Sequence, residues 1–343
     1  MFKKITIIFL LLLILVACGH VHKVKETKTL IALDTIINIE TYGKNAKPAL
    51  KEVEAKIFEI EEELSRTLKT SDLFLLNTKK TLENPKPELI ELLEKANDYY
   101  ELTDHAFDIT IATIADLWGF TKSEHQVPNK DIIEANLVNV GPKHIHIEDH
   151  KISLDAGTKL DLGGIAKGLL AKETKTIYDK YKLQSAFVNL GGDILVYGYK
   201  DNNDDWSVGI QNPYSANDTN SLSAILSLHD AYIFTSGNYQ RYFEVDGVRY
   251  HHIIDPKTGY PANNNLLSVS IITNLEDDNA IMADALSTAL FVMGQEEAIN
   301  LWHRNQDLFD VIIINNENEV LATKNLEDKI LLANDNFNLK IID

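Results

Sequence analysis

Three stretches of this chain hold residue types that could do chemistry on a phosphate. Asp161-Leu-Gly-Gly-Ile-Ala-Lys-Gly168 sets a glycine pair just ahead of a helical pattern. Such a pair lets backbone approach a ligand closely, and a helix start offers free N–H groups and the positive end of a dipole. Lys167 adds a mobile cation, and Asp161 can accept a hydrogen bond from a ribose or base or help to hold a metal. The spacing fits neither a Walker loop nor G-x-G-x-x-G, so tight packing at a helix start is the plainer alternative. Asp284 and Thr288 stand four apart with Ser287 beside them, and so share a helical face. A carboxylate with hydroxyls suits a hard cation such as Mg²⁺. Met282, Ala283, Ala285, Leu286 and Ala289 around them are apolar, so Asp284 is expected to be buried. A buried carboxylate needs a partner, whether a cation or a backbone group. His252 precedes the tight turn Asp255-Pro-Lys-Thr-Gly259, and imidazole is the usual general base near neutral pH. A structural histidine is the other reading.

These residues need elements to position them. The pattern after Gly168 predicts a helix to about Lys182, and Asp284 falls in a predicted helix over Glu276–Met293. His252 follows a hairpin, Tyr242–Val245 and Val248–His251 across Asp246-Gly247. Further helices are predicted over Pro48–Leu64, Pro87–Leu102, Ile109–Trp118, Lys130–Asn136 and Gln295–Asn305, with a loop over Leu64–Asn77. Strands are predicted at Leu30–Tyr42, Ile145–Leu154, Ser185–Leu190, Asp193–Gly198, Trp206–Gln211, Leu222–Leu228, Ala231–Thr235 and Leu266–Thr273, with a closing hairpin of Phe309–Ile314 and Glu319–Thr323. Irregular alternation of helices and antiparallel-type strands favours an α+β fold over a doubly wound parallel sheet.

With 343 residues, 45% hydrophobic and 24% charged, the chain can bury a sizeable core. The formal net charge of -18 argues against nucleic acid as a partner, which wants a basic face. It leaves room for one anion held locally. Lys3 and Lys4, the apolar run Ile5–Val16 and Leu15-Val16-Ala17-Cys18 form a bacterial lipoprotein signal with its lipobox. The apolar run is short for a membrane span. Cys18 is the sole cysteine, which excludes disulfides and cysteine chemistry and makes lipidation its natural use. The expected organisation is a signal peptide over 1–17, a tether over 18–29 and one compact catalytic unit over 30–343. It would sit in the cell envelope, lipid-anchored to the membrane on the extracytoplasmic side.

The pieces also occur in a particular order: Ala106-Phe-Asp-Ile-Thr110, Leu117-Trp-Gly-Phe120, Asp161 to Gly168, Val188-Asn-Leu-Gly-Gly-Asp-Ile194, Thr235-Ser-Gly-Asn-Tyr239, His252-Ile-Ile-Asp-Pro-Lys-Thr-Gly-Tyr-Pro261 and Ala283-Asp-Ala-Leu-Ser-Thr-Ala289. In that order they resemble the ApbE family, the FAD:protein FMN transferases, over about residues 30–325. The resemblance implies an ApbE-like, T-fold-like single unit of mixed helices and largely antiparallel sheets. It implies a Mg²⁺-dependent reaction in which FAD is the substrate. FMN is joined through its phosphate to a Ser or Thr of a target flavoprotein subunit, and AMP leaves. By resemblance, Asp284 and Thr288 match metal ligands, the carbonyl of Gly164 matches a third, and Ser287 stands where some members have a second aspartate. Ala106, Phe107, Asp108, Asp161 and Lys167 match FAD-binding positions, as does Thr258, and His252 matches the base. Phe107, Trp118 and Tyr239 are candidates to cover the flavin ring.

Three stretches depart from the family pattern. Leu33-Asp34-Thr35 stands for Met-Gly-Thr, Ser65-Arg66-Thr67 for Ser-Thr-Tyr, and Ala112-Thr113 for Gly-Pro. The same residues would also serve an FAD pyrophosphatase, with water replacing the hydroxyl. A non-catalytic flavin-binding lipoprotein is the third alternative, and it would have no use for a base.

Overall fold

The computed structural model describes residues 24–343 apart from 121–123, 201–202, 216–217, 219 and 277. The expected signal peptide and Cys18 lie outside the described residues. No helix among the described residues is long and apolar enough to cross a membrane.

A nine-stranded sheet runs in the order Lys25–Ala32, Thr35–Tyr42, Ser185–Leu190, Ile194–Tyr197, Ala231–Gly237, Leu266–Asn274, Asp310–Asn315, Glu319–Thr323 and Asn338–Ile342. Every neighbouring pair is antiparallel except the last. Its inner strands are apolar on both faces because both faces are covered. In Asp310–Asn315, Val311 and Ile313 enter one core, and Ile312 and Ile314 enter the other. On the first side lie the helices Ala46–Leu64, Ala166–Tyr181 and Asn279–Met293. On the second lies a smaller sheet of Trp206–Gln211, Leu222–Leu228 and Ile330–Leu332. The architecture is the expected α+β one.

The Asn279–Met293 helix is buried along nearly its whole circumference, as suits a helix apolar all round. It lies between the Ala166–Tyr181 helix and the strands Ala231–Gly237 and Leu266–Asn274. At its crossing with the Ala166–Tyr181 helix the backbones nearly touch. A Cβ on Gly168 would stand 2.6 Å from both the Ala280 carbonyl oxygen and Ile281 Cα.

The structure differs from the sequence reading at several boundaries. The expected tether is already strand from Lys25, because the backbone of Lys25–Thr29 ladders onto Asn38–Tyr42 while its side chains stay largely in solvent. The expected loop over 64–77 contains a helix, Asp72–Lys79, started by Ser71, whose Oγ accepts the Phe74 N–H at 3.0 Å. The helix expected from Glu276 begins at Asn279. Asn274 Oδ1 accepts the Glu276 N–H at 3.3 Å, which holds that stretch in a turn. The closing strand Asn338–Ile342 is an addition to the reading.

Candidate active site

The Asp161–Gly168 stretch opens the Ala166–Tyr181 helix where that helix meets Asn279–Met293. The Gly168 N–H donates to Asp284 Oδ2 at 2.8 Å. Asp284 is 3% exposed, and burial pushes its carboxyl well above the usual carboxylate range, with Lys167 opposing the shift. Lys167 ion-pairs with Asp193. Burial disfavours its charge, but Asp193 and Asp284 outweigh that and hold its pKa up. The other oxygen of Asp193 accepts the Thr235 N–H at 2.8 Å.

Hydroxyls gather beside this charged group. Ser236 Oγ is 2.9 Å from Ser287 Oγ and 3.1 Å from Thr288 Oγ1. Ser287 Oγ donates to the Asp284 carbonyl at 2.8 Å. A Cβ on Gly164 would lie 3.3 Å from both Thr288 Oγ1 and the Phe107 ring, so the glycine backbone adjoins the hydroxyls and the Ala106–Asp108 turn. Among the described residues, no group of three or more His, Cys, Asp or Glu could hold a metal. A cation at this place would rest on one carboxylate, hydroxyls and backbone oxygen, a hard-oxygen set that fits Mg²⁺.

His252 directly follows the hairpin strand Val248–His251. The Arg241 carbonyl accepts both the His252 backbone N–H, at 3.1 Å, and the ring Nδ1–H, at 3.2 Å. A carbonyl can only accept, so the proton sits on Nδ1 and Nε2 keeps its lone pair. Desolvation, then the Arg241 charge, pushes the His252 pKa down to about 4, and Lys167 adds to the effect. The imidazole is therefore neutral at pH 7, with the Nε2 lone pair open to accept a proton.

The FAD-side residues of the resemblance divide. Phe107 is buried against Gly164. Asp108 is turned inward, where Oδ1 accepts from Thr110 N at 2.8 Å and Thr110 Oγ1 at 2.5 Å and caps the Ile109–Ile111 turn. Asp161 is held by Arg66, whose Nη1 reaches Oδ2 at 2.6 Å while Nη2 reaches Asp116 at 2.6 Å. The Arg66 departure thus belongs to an ion network that fixes Asp161. The Thr258 hydroxyl donates to Asp255 at 3.1 Å inside the exposed turn, and among the described residues no hydrogen bond joins it to the cluster. Trp118 does not reach a cleft. It is fully buried, donates to the Gly259 carbonyl at 2.9 Å, and packs on Tyr250 and Tyr260. Asp193, Ser236 and Arg241 escaped the sequence reading as site residues. Asp193 and Ser236 do fall in two of the ordered motifs, Val188–Ile194 and Thr235–Tyr239, which marked the stretches without giving these two residues a role.

Fold and site together define an α+β protein with a phosphate-directed centre of carboxylates, lysine, hydroxyls and a neutral histidine. The ApbE family profile matches residues 33–313, and the chain belongs to the ApbE family. It is 31% identical to a protein of Treponema pallidum named FAD:protein FMN transferase, over 94% of each chain. An Escherichia coli protein of the same name is 28% identical over 82% of this chain and 84% of its own. Among solved structures, the ApbE protein of Thermotoga maritima superposes with a TM-score of 0.80 at 32% identity, covering 89% of this chain and 99% of its own. The flavin transferase ApbE of Vibrio cholerae gives 0.77 at 26% identity, covering 90% and 99%.

Proposed function

We propose that this chain is an FAD:protein FMN transferase. A Ser or Thr hydroxyl of a target flavoprotein attacks the FMN phosphorus of FAD, a new P–O bond forms, the P–O bond to AMP breaks, and AMP leaves. The observation that carries this reading is the neutral His252, with Nδ1–H spent on the Arg241 carbonyl and Nε2 free. A hydroxyl is a weak nucleophile and needs such a base, whereas a flavin carrier would not. Nε2 accepts the hydroxyl proton. Lys167 would face the reacting phosphate, and the Gly164 backbone would let phosphate approach the start of the helix.

Asp284, Thr288, Ser287 and the Gly164 carbonyl would hold Mg²⁺, which when bound supplies charge neutralisation at the pyrophosphate. Two features support that: a buried carboxylate with a raised pKa, and a neighbouring Lys167 already engaged by Asp193. We read Leu15-Val16-Ala17-Cys18 as the anchor that tethers the protein to the extracytoplasmic membrane face. Labelled palmitate that stays on a Cys18→Ser protein would refute the anchor.

The direct test incubates residues after Cys18 with FAD, Mg²⁺ and a flavoprotein subunit from the same membrane, followed by mass spectrometry. An FMN-sized gain on the subunit with matching AMP is expected. Free FMN and AMP without an adduct would make the protein a pyrophosphatase, and intact retained FAD would make it a carrier.

A further inference from the structure

The bend that carries Gln240 and Arg241 brings three loops together. The Arg241 carbonyl holds both N–H groups of His252, at 3.1 and 3.2 Å. A Cβ on Gly192 would lie 3.9 Å from Gln240 Nε2, and Gly192 precedes Asp193, the partner of Lys167. Arg241 Nη2 reaches to the Asp34 carbonyl at 3.4 Å. Asp34 lies in the turn between the strands Lys25–Ala32 and Thr35–Tyr42, and Thr35 Oγ1 stands where a Cβ on Gly191 would go. The Arg241 side chain is exposed at the place where these loops meet.

A guanidinium has five N–H donors in a fixed fork. Arg66 spends its fork on Asp116 and Asp161, each at 2.6 Å, and Arg249 is paired with Glu244. Arg241 stands in a chain of 51 acidic and 33 basic residues, yet among the described residues it has no ion pair and makes one long hydrogen bond to a carbonyl. Its charge disfavours protonation of both His252 and Lys167. Asp193 answers Lys167, and no carboxylate is paired with Arg241. Two cations that repel one another both gain from an anion placed between them, and a guanidinium fork matches the oxygens of a phosphate.

The reaction says which phosphate. In-line displacement puts the attacking hydroxyl opposite the leaving AMP. His252 takes the proton of that hydroxyl, and Arg241 is tied to His252 through its own carbonyl, which assigns its guanidinium to the attacked side of phosphorus. We propose that Arg241 binds the FMN phosphate of FAD and keeps hold of it as the bond to AMP breaks. The inference rests on the FMN-transfer reading and gives it a phosphate-binding residue on the side of the base.

The test uses two variants. Arg241→Gln removes the charge and keeps the carbonyl that holds His252, and Arg241→Lys keeps the charge and loses the fork. Binding of FMN, riboflavin and AMP to each protein is measured by titration calorimetry in Mg²⁺, riboflavin being FMN without its phosphate. In Arg241→Gln the Kd for FMN should rise about tenfold or more, as for loss of a hydrogen bond to a charged group, with riboflavin and AMP within about twofold of the unaltered protein. Arg241→Lys should fall between the two. Equal losses for FMN and riboflavin would make the residue structural and overturn the proposal, as would an unchanged Kd for FMN. A loss confined to AMP would put the guanidinium on the leaving group and overturn it as well. The comparison needs no acceptor protein, so it is separate from the transfer assay: a protein that shows the contrast but labels nothing loses the transfer reading and keeps Arg241 as its FMN-phosphate contact.

Discussion

Gly168→Ala should destabilise this protein, although the position is helical. In a free helix interior, alanine is better than glycine by about 1 kcal/mol. Here the new Cβ would meet the Ala280 carbonyl oxygen and Ile281 Cα at 2.6 Å, where ordinary contacts are 3.4–4 Å. Both are backbone atoms of the Asn279–Met293 helix, so no side chain can swing away. Relief requires the two helices to part by close to an ångström. Overpacking of this kind costs ~1–3 kcal/mol. The same shift stretches the 2.8 Å bond from Gly168 N–H to Asp284 Oδ2, and a hydrogen bond to a charged group is worth ~1.5–3 kcal/mol. Set against the helical gain, the net loss is about 3 kcal/mol. For 343 residues the unfolding entropy is about 0.7 kcal/mol/K, so Tm should fall by about 4 °C. The assay is thermal unfolding with and without Mg²⁺, and the ion-induced rise in Tm should shrink as well. A variant with Tm at or above that of the parent would show that the helices do not cross this closely, and the positioning of Asp284 would lose its basis.

Asp284→Ala should abolish Mg²⁺-dependent turnover and also the Mg²⁺-induced rise in Tm, and full activity in the variant would remove the metal assignment. His252→Ala should bind FAD normally yet lose transfer by about a hundredfold or more, the usual worth of a positioned base; an unchanged rate would remove that role. His251 is 6% exposed and its pKa is pushed down to about 4 by burial, below the ~6.5 of an unfolded histidine. A depressed histidine leaves the unfolded state binding more protons, so its contribution is complete above pH 6.5 and is lost as pH falls toward 4. The loss reaches about 3 kcal/mol. Asp284, shifted upward, acts in the opposite sense. Urea unfolding of the parent and His251→Gln at both ends of this range isolates the effect, and equal pH slopes would refute it.

The elements that read correctly from the sequence are those whose local chemistry agrees with their tertiary role. Asp246-Gly247 demands positive φ at both residues, and both have it, at 51° and 78°, so the hairpin before His252 was legible. The Asn279–Met293 helix is so apolar that burial of Asp284 followed from its neighbours. What stayed hidden depends on partners distant in sequence. Lys167 and Asp193 are joined by a crossover from helix to sheet, and the Val188–Ile194 motif does not by itself say what Asp193 pairs with. Ser236 meets Ser287 and Thr288 because of where Ala231–Gly237 runs under the Asn279–Met293 helix. Lys25–Thr29 is polar and looks like linker, yet pairing with Asn38–Tyr42 requires only its backbone. Trp118 was a plausible ring cover because its aromaticity is visible in sequence and its burial is not.

Charge explains why this arrangement suits phosphate in so acidic a chain. The formal net charge is -18, so no long-range field draws an anion in, and binding must be local. At the centre Lys167 is engaged by Asp193, and burial pushes Asp284 toward its neutral form. The cluster alone therefore offers little net positive charge to the two negative charges of a pyrophosphate. A divalent cation would change both sides of that balance, holding Asp284 ionised and meeting the phosphate charge. Arg241 adds a positive charge beside His252. Its guanidinium has no ion pair among the described residues, and its one hydrogen bond, to the Asp34 carbonyl, is long at 3.4 Å. The backbone of the same residue orients His252, while its charge helps to keep that imidazole neutral. Desolvation is the main cause of the low His252 pKa, and the Arg241 charge adds to it, so one residue both orients the imidazole and opposes its protonation.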